Sequence, residues 1–451
     1  MHHLMLLALD SLLWIRSSLK SPLRARQPPK SPCNMEEVSD RISNLPGHII
    51  DRILSHLPIR DAVRMSVLSS KWRYKWATLP HLIFDKDCCP SASEAQLVIK
   101  SKLVGIIDHV LLLHTGMIHK FKLSHKDLQA VPDIDRWILY ISRSSVKEFI
   151  LEIWKGQRYK IPSCLFSSKH LIHLELFNCL LSLPPSFKGF LNLKSLDLQH
   201  ITLTQDAFEN LIANCPLLER LTLMNFDGFG HLKIHAPNLQ FFDVGGVYED
   251  VTFEDTSLLS IISIGLYVNV HHEISATQRS TSNLVKFFIH LPRIRRLEVQ
   301  GYFLKHLAVG NMPGKLPVAC LELSYLSMRI NFNDIKEWKA ALCILRSSPN
   351  LIELEMLARP EEDNVVRAGL SFWAESNHFD CPLYQLRVVR IVDVVGLRPE
   401  LDFIKFLLAN SPTLEKLTVK PASNDGGLEL LKELVRYRRA SVQAEVIYVD
   451  P

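Results

Sequence analysis

LIHLELFNCLL, residues 171–181, decides the fold. Leu171, Leu174 and Leu176 stand in an LxxLxL pattern, and the run continues to Cys179 and Leu181 in the longer LxxLxLxxCxL form. Leu174 and Leu176 alternate with His173, Glu175 and Phe177 as the side chains of a half-buried strand do, while Leu171 turns the chain into that strand. Working outward, the pattern recurs at Leu193-Leu196-Leu198 and Leu218-Leu221-Leu223. It returns in substituted form at Leu239-Phe242-Val244, Leu259-Ile262-Ile264, Ile294-Leu297-Val299, Val318-Leu321-Leu323, Leu351-Leu354-Met356, Leu383-Leu386-Val388 and Leu414-Leu417-Val419, with starts 20 to 35 residues apart.

Helical stretches separate these strands, such as Asp206 to Ala213 before Cys215-Pro216 and Asp334 to Leu345 before Ser348-Pro349, each ended by its proline. A strand-turn-helix unit of this size cannot cover its own apolar face, so neighbours must stack. The expected body is an α/β leucine-rich-repeat solenoid: a horseshoe with a parallel sheet on the concave side and helices on the convex side. The wandering spacing predicts irregular curvature and inserted loops, above all between Leu259 and Ile294. Leucines scattered through an ordinary α/β domain would not repeat ten times with the same alternation.

Upstream, residues 40–85 read DRISNLPGHIIDRILSHLPIRDAVRMSVLSSKWRYKWATLPHLIFD. Ile50, Ile53, Leu54 and Leu57 fall on one face of a helix that enters after Pro46 and stops before Pro58. Asp61 can cap a second helix through Ala62, Val63 and Met65; Ser69 or Ser70 can cap a third containing Trp72 and Trp76. A unit of about 45 residues buries little surface, so apolar residues left over are expected to meet a partner. Leu45-Pro46, the helix end Ile53 to Pro58, Arg60-Asp61-Ala62-Val63, Leu68-Ser69 and Lys71-Trp72-Arg73 together resemble a plant F-box.

The resemblance implies docking on a Skp-family adaptor and, through it, on a cullin. Leu45 and Pro46 would form the entry turn against the adaptor. Ile50, Ile53, Leu54, Leu57, Pro58, Val63, Leu68 and Trp72 would divide between adaptor contact and internal packing, and the sequence leaves open which does which. Arg60, Lys71 and Arg73 read as solvated charges. At the other end, Leu414-Glu415-Lys416-Leu417, a Gly-containing loop, a helix over Leu428 to Arg436 and the run Arg438-Arg439-Ala440-Ser441 to Ile447 resemble the FBD region of plant F-box/LRR proteins, beginning near Cys381. The Arg438-Arg439 pair departs from that family, which often has a proline there. The expected order is a disordered extension over 1–35, a three-helix F-box over 36–84, a linker leading into the solenoid over 85–145, leucine-rich repeats over 146–380 and an FBD region completing the solenoid over 381–451.

Composition excludes other readings. With 451 residues, 47% hydrophobic and 22% charged, the chain can bury a large core. Nine cysteines, with no CxxC pair and no regular spacing, read as reduced buried thiols; no NxS/T sequon occurs, and the expected location is cytoplasmic and/or nuclear. The formal charge of +5 sits at the N-terminus, where Arg16, Lys20, Arg24, Arg26 and Lys30 stand against Asp10. Without residues 1–34 the chain has 47 basic and 46 acidic residues, a balance that removes the main support for nucleic acid. Leu4 to Ile15, broken by Asp10, is about half the length that crosses a bilayer. Arg- and Ser-rich character through Lys30 admits a transit peptide, but an unstructured extension is the plainer reading, with Met35 a sensible start.

Catalysis finds no footing. There is no GxSxG, GxxxxGK[ST], HExxH or strand-borne GxGxxG. His271-His272-Glu273 on a strand would point to opposite faces with no complementary ligand spacing, and Cys88-Cys89 cannot easily converge on one ion. No catalytic residue, metal or cofactor is expected. Two function classes remain: a substrate receptor of a ubiquitin ligase, which acts by proximity, and a non-degradative leucine-rich-repeat protein-binding scaffold.

The residue between the last two apolar positions of each unit points away from the helices. Those residues are Glu175, Asp197, Thr222, Asp243, Ser263, Glu298, Glu322, Glu355, Arg387 and Thr418. Glu175, Asp197, Asp243, Glu298, Glu322 and Glu355 would form a negative stripe favouring a target with a basic segment. The competing reading is that exposed strand positions are simply polar.

Overall fold

The computed structural model describes residues 45–66, 70–88, 96–267, 287–291, 293–307, 314–359, 383–423 and 427–450. The expected N-terminal extension, Leu68, Cys89 and His271-His272-Glu273 lie outside the described residues. The chain divides between Asp127 and Leu128 into two compact units.

In the N-terminal unit Pro46 and Pro58 stand at the starts of α1 (Gly47–Ser55) and α2 (Ile59–Met65), where a ring-fixed φ suits the turn into the helix. Asp61, expected as a cap, instead lies inside the first turn of α2, favoured there by the helix dipole and 3.4 Å from Arg64. The helix expected around Trp72 and Trp76 is a set of turns over 70–74 followed by a 3-10 helix, Lys75–Thr78. Tyr74, at φ 67, sits in the left-handed region and interrupts any α-helix there. Both tryptophans are nevertheless buried.

β1 (His81–Phe84), α3 (Gln96–Leu113) and β2 (Lys120–Gln129) follow. β1 and β2 pair in parallel from His81↔Lys120 to Phe84↔Leu123, with the Phe84 and Phe121 rings 5.8 Å apart. The stretch 85–145, read as linker, therefore carries α3, β2 and, in the second unit, α4 (Asp133–Ser142). α3, QLVIKSKLVGIIDHVLLL, is apolar almost all round and lacks the polar face that makes a helix legible.

The second unit is a parallel ladder. In spatial order it runs β3 (Glu148–Lys155), β5 (His173–Phe177), β7 (Ser195–Gln199), β8 (Arg220–Met224), β10 (Phe241–Gly246), β12 (Ile261–Leu266), β13 (Arg296–Gly301), β14 (Tyr325–Ile330), β15 (Glu353–Ala358), β16 (Val388–Val394), β17 (Lys416–Pro421) and β18 (Glu445–Tyr448). Each neighbour pairs in parallel. Parallel neighbours require crossovers. These include α5 (Gln205–Ala213), α6 (Phe303–Leu307), α7 (Ile335–Arg346), α8 (Arg398–Asn410) and α9 (Gly427–Arg436). Thr204 caps α5, and Asp334 caps α7 by accepting from the Lys336 N–H at 2.8 Å.

Elsewhere short strands take the place of helices: β4 (Tyr159–Lys160) pairs with β6 (Cys179–Leu180), and β9 (His231–His235) with β11 (Asp250–Glu254). After β5, β7 and β8 the residues Asn178, His200 and Asn225 adopt positive φ of 59, 52 and 51, turning the chain out of the sheet. Their N–H groups still bond the next strand, at the carbonyls of Gln199, Met224 and Gly245.

The repeat leucines form the core: Leu171, Leu174 and Leu176 are buried, as are their counterparts through Leu414, Leu417 and Val419. In two of the ten units the strand lies further along than the sequence reading put it. Leu321 is 57% exposed in a turn, and the buried triplet is Leu323-Leu326-Met328. Likewise Leu386, Val389 and Ile391 form the inward set in place of Leu383-Leu386-Val388. Beyond β15, the Arg359 guanidinium pairs with Glu337 on α7, both side chains under a tenth exposed, donates to the Gly301 carbonyl at 2.9 Å and lies 4.3 Å over the Tyr302 ring. The Asn331 N–H adds a second hold on Glu337 at 2.9 Å.

Candidate adaptor- and target-binding surfaces

The box sorts its own apolar residues. Ile50 and Leu54, one helical turn apart on α1, are fully buried together with Ile59, Ala62 and Trp72. Ile50, Leu54 and Trp72, named among candidate adaptor contacts, are therefore interior positions. On the outward face Ile49 and Ile53 repeat one turn apart; Ile53 is 36% exposed, Pro46 is exposed, and Leu45, Leu57, Pro58 and Val63 are half-buried. Lys75 fixes the 3-10 turn to α1 by reaching Asp51 at 3.0 Å. Exposed Pro46 and Ile53, with the half-buried Leu45, Ile49, Leu57, Pro58 and Val63, make a partly uncovered apolar set from the turn before α1 to the helix after it.

On the second unit the strand residues opposite the leucine core form a continuous row. Its register is Ile150↔Glu175↔Asp197↔Thr222↔Asp243↔Ser263↔Glu298↔Ser327↔Glu355↔Arg390↔Thr418↔Ile447. Glu175, Asp197, Asp243, Glu298 and Glu355 are brought onto it as expected from the alternation. Glu322 is not: it lies in the turn before β14, 3.5 Å from Arg295, and Ser327 holds the row position. Arg387 is replaced by Arg390. Reading LxxLxM from Leu323 would have found Ser327. The earlier choice fails because a leucine in the approach turn is indistinguishable by type from one in the strand.

These carboxylates have resident partners. Glu175 faces His173 at 3.6 Å, Asp197 accepts from the Gln199 amide at 3.0 Å, and Glu355 accepts from the Tyr325 hydroxyl at 2.6 Å. Glu298 is paired with Arg296 at 2.8 Å, and the Arg296 guanidinium lies 3.7 Å over the Tyr325 ring. Burial pushes the Asp197 carboxyl up to about 6, with the Glu175 charge adding to the rise. Burial also raises Asp243.

Toward the strand ends, a cluster that sequence reading did not single out brings Trp154, Phe177 and His200 together, with ring centroids 4.6 and 5.0 Å apart. Burial raises the thiols of Cys88, Cys320 and Cys343 to about 11 and that of Cys215 to about 12, away from the thiolate form. Among the described residues no His, Cys, Asp or Glu cluster is arranged to hold a metal, and no helix is long and apolar enough to cross a membrane.

Comparison with known proteins places names on these regions. The F-box domain family matches residues 42–84, the family described as "FBD-associated F-box protein At5g56370, LRR repeats" matches 134–356, and the FBD family matches 375–419. Among Arabidopsis thaliana proteins, "F-box/FBD/LRR-repeat protein At1g13570" is 41% identical, the alignment covering 92% of this chain and 100% of the relative. "Putative F-box/FBD/LRR-repeat protein At2g05300" is 27% identical over 90% of this chain and 97% of its own length. With family models of the box, the repeats and the FBD region matching successive parts of the chain and a relative 41% identical along 92% of it, the chain belongs to the plant F-box/FBD/LRR-repeat family.

Proposed function

We propose that the chain is the substrate-recognition subunit of a Skp-cullin-F-box type ubiquitin ligase. Leu45, Pro46, Ile53, Leu57, Pro58 and Val63 dock the adaptor, which links the chain to a cullin. The open face of the parallel sheet holds a protein target that presents a basic segment. Chemistry occurs on other subunits, and this chain contributes proximity. Reduced, buried thiols fit work in the cytoplasm and/or nucleus.

The observation that carries the reading is the division of the box into a packed interior at Ile50, Leu54 and Trp72 and an apolar exterior at Pro46 and Ile53, flanked by the half-buried Ile49, the arrangement of a helix with a second surface to cover. The test is reconstitution. With adaptor, cullin and a target captured on the full chain, ubiquitin transfer to that target should depend on the chain and fall in Leu45→Ala/Pro46→Ala. Adaptor binding without ubiquitin transfer would favour the non-degradative scaffold; loss of neither in the double variant would remove the adaptor assignment.

A further inference from the structure

Across seven successive strands the open-face row alternates strictly: Asp197, Thr222, Asp243, Ser263, Glu298, Ser327, Glu355. A carboxylate therefore recurs every second strand with a short hydroxyl side chain between. The row is low. On one side it is bordered by longer side chains two residues earlier in the strands, where Arg220 lies 4.0 Å over Phe241 and Arg296 is stacked on Tyr325. On the other side Met224 and Tyr267 rise over Gly245, where an added Cβ would come within 2.7 Å of both. The row is thus bordered by Arg220, Phe241, Arg296 and Tyr325 on one side and, at Gly245, by Met224 and Tyr267 on the other.

Resident partners do not saturate the row, since a carboxylate has two oxygens and about four acceptor sites. Asp197 and Glu355 are held by neutral donors, Glu298 already shares its charge with Arg296, and one oxygen of Asp243 is enclosed without a hydrogen-bond partner among the described residues, so that it is the charge of this carboxylate, not that oxygen, that is open to a cation. At one end the row passes to Arg390, which would repel a cation.

The spacing selects the occupant. Strands stand about 4.8 Å apart, so carboxylates on every second strand repeat at about 9.6 Å. A segment lying along the row must present cations at that interval on one side. A fully extended strand repeats a side every two residues, about 6.7 Å, and falls out of step at once. An α-helix returns to the same face after seven residues, about 10.5 Å, overshooting by about 0.9 Å and turning about 20° at each step, which over the three intervals accumulates to about 3 Å and 60°. A polyproline II segment has three residues per turn and rises about 3.1 Å per residue, returning each third side chain to the same side after about 9.3 Å. From Asp197 to Glu355 the accumulated mismatch is about 1 Å.

We infer that the open face takes a polyproline II segment of the target carrying lysine or arginine at every third residue, with successive cations at Asp197, Asp243, Glu298 and Glu355. This rests on the basic-segment reading and specifies its spacing. The burial-raised carboxyls of Asp197 and Asp243 fit it, because an incoming cation compensates charges that the fold itself leaves under-compensated.

The experiment uses the folded full-length chain and fluorescein-labelled peptides of equal length and charge, four lysines in a proline- and serine-rich background, spaced at two, three or four residues. Anisotropy titrations at low salt are expected to give binding at least tenfold tighter for the three-residue spacing. Asp197→Asn/Asp243→Asn, with unchanged thermal unfolding, should lower that preference to under threefold. Equal binding of all three peptides would overturn the spacing while leaving the basic-segment reading standing. Binding of none would overturn both, as would preference for a neutral peptide of the same background. Tighter binding at two-residue spacing would replace the polyproline segment with an extended strand and overturn the inference.

Discussion

Replacing Ile53 with aspartate should disconnect the box from its adaptor without unfolding it. Full burial of an isoleucine contributes about 1.5–3 kcal/mol. Ile53 is 36% exposed, so about 0.5–1 kcal/mol remains for an adaptor to gain by covering it. Ile53→Ala should therefore weaken binding only about two- to fivefold. Ile53→Asp is different in kind: complex formation must then desolvate an unpaired carboxylate, costing about 3 kcal/mol or more and weakening binding by about 100-fold. The free chain loses about 1–2 kcal/mol for the part of the side chain it already covers and about 0.5 kcal/mol of helix propensity, a cost that leaves a folded chain but must be measured beside the binding. Biolayer interferometry against a purified Skp-family adaptor reads the affinity, and circular dichroism checks the fold. Leu112→Asp is the control, at a position of α3 that is 74% exposed within the same unit; it should leave binding unchanged. A folded Ile53→Asp chain that binds within about threefold of the parent would refute the division of the box into interior and docking face.

Leu326→Ala should cost about 3 kcal/mol in urea unfolding, as a fully buried repeat leucine, while Leu321→Ala should cost less than about 0.5 kcal/mol; the reverse order would restore the discarded register. Arg359→Met should destabilise by about 3 kcal/mol, because the enclosed Glu337 carboxyl, which burial raises to about 7 even beside Arg359, loses its compensating cation and must take up a proton; adding Glu337→Gln should recover most of the loss in thermal unfolding. Affinity for a basic peptide should fall about three- to fivefold as pH drops from 7.5 through 6, the worth of one screened ion pair. The sign follows from Asp197: its carboxyl, raised from 3.8 to about 6, takes up a proton in that window and ceases to attract a cation, so Asp197→Asn should flatten the profile. His173, Glu175 and Asp243 also face this carboxyl, and His173→Gln is the control for its share.

The most legible parts of the chain were those where one residue type does one physical job. Asp334 accepts an N–H at the start of α7, Pro46 and Pro58 set the starts of α1 and α2, and the repeat leucines fill a core that needs them at fixed intervals. The parts that stayed hidden lack such a division of labour. α3 is apolar on nearly every side, so its helical period leaves no trace in the sequence. The box helix carries Ile49, Ile50, Ile53 and Leu54, all acceptable in a core, and only their neighbours decide that Ile50 and Leu54 turn inward while Ile53 does not. The third helix of the box failed because Tyr74 takes a left-handed conformation that its type does not announce.

The open face depends on register more sharply than the core does. Misplacing the strand by five residues near Leu321 changes little in the list of apolar residues, because leucine occurs on both sides of the turn. It changes the surface completely: Glu322 leaves the row, Ser327 joins it, and what had been consecutive acids at Glu298, Glu322 and Glu355 becomes acid, hydroxyl, acid. A uniform stripe would attract any basic chain and would steer encounter more than it discriminates. An alternating one sets a repeat distance of about 9.6 Å, which only some backbone conformations can match with identical side chains. The corrected register thus turns a statement about charge into one about geometry, and specificity follows from the mismatch imposed on every other spacing.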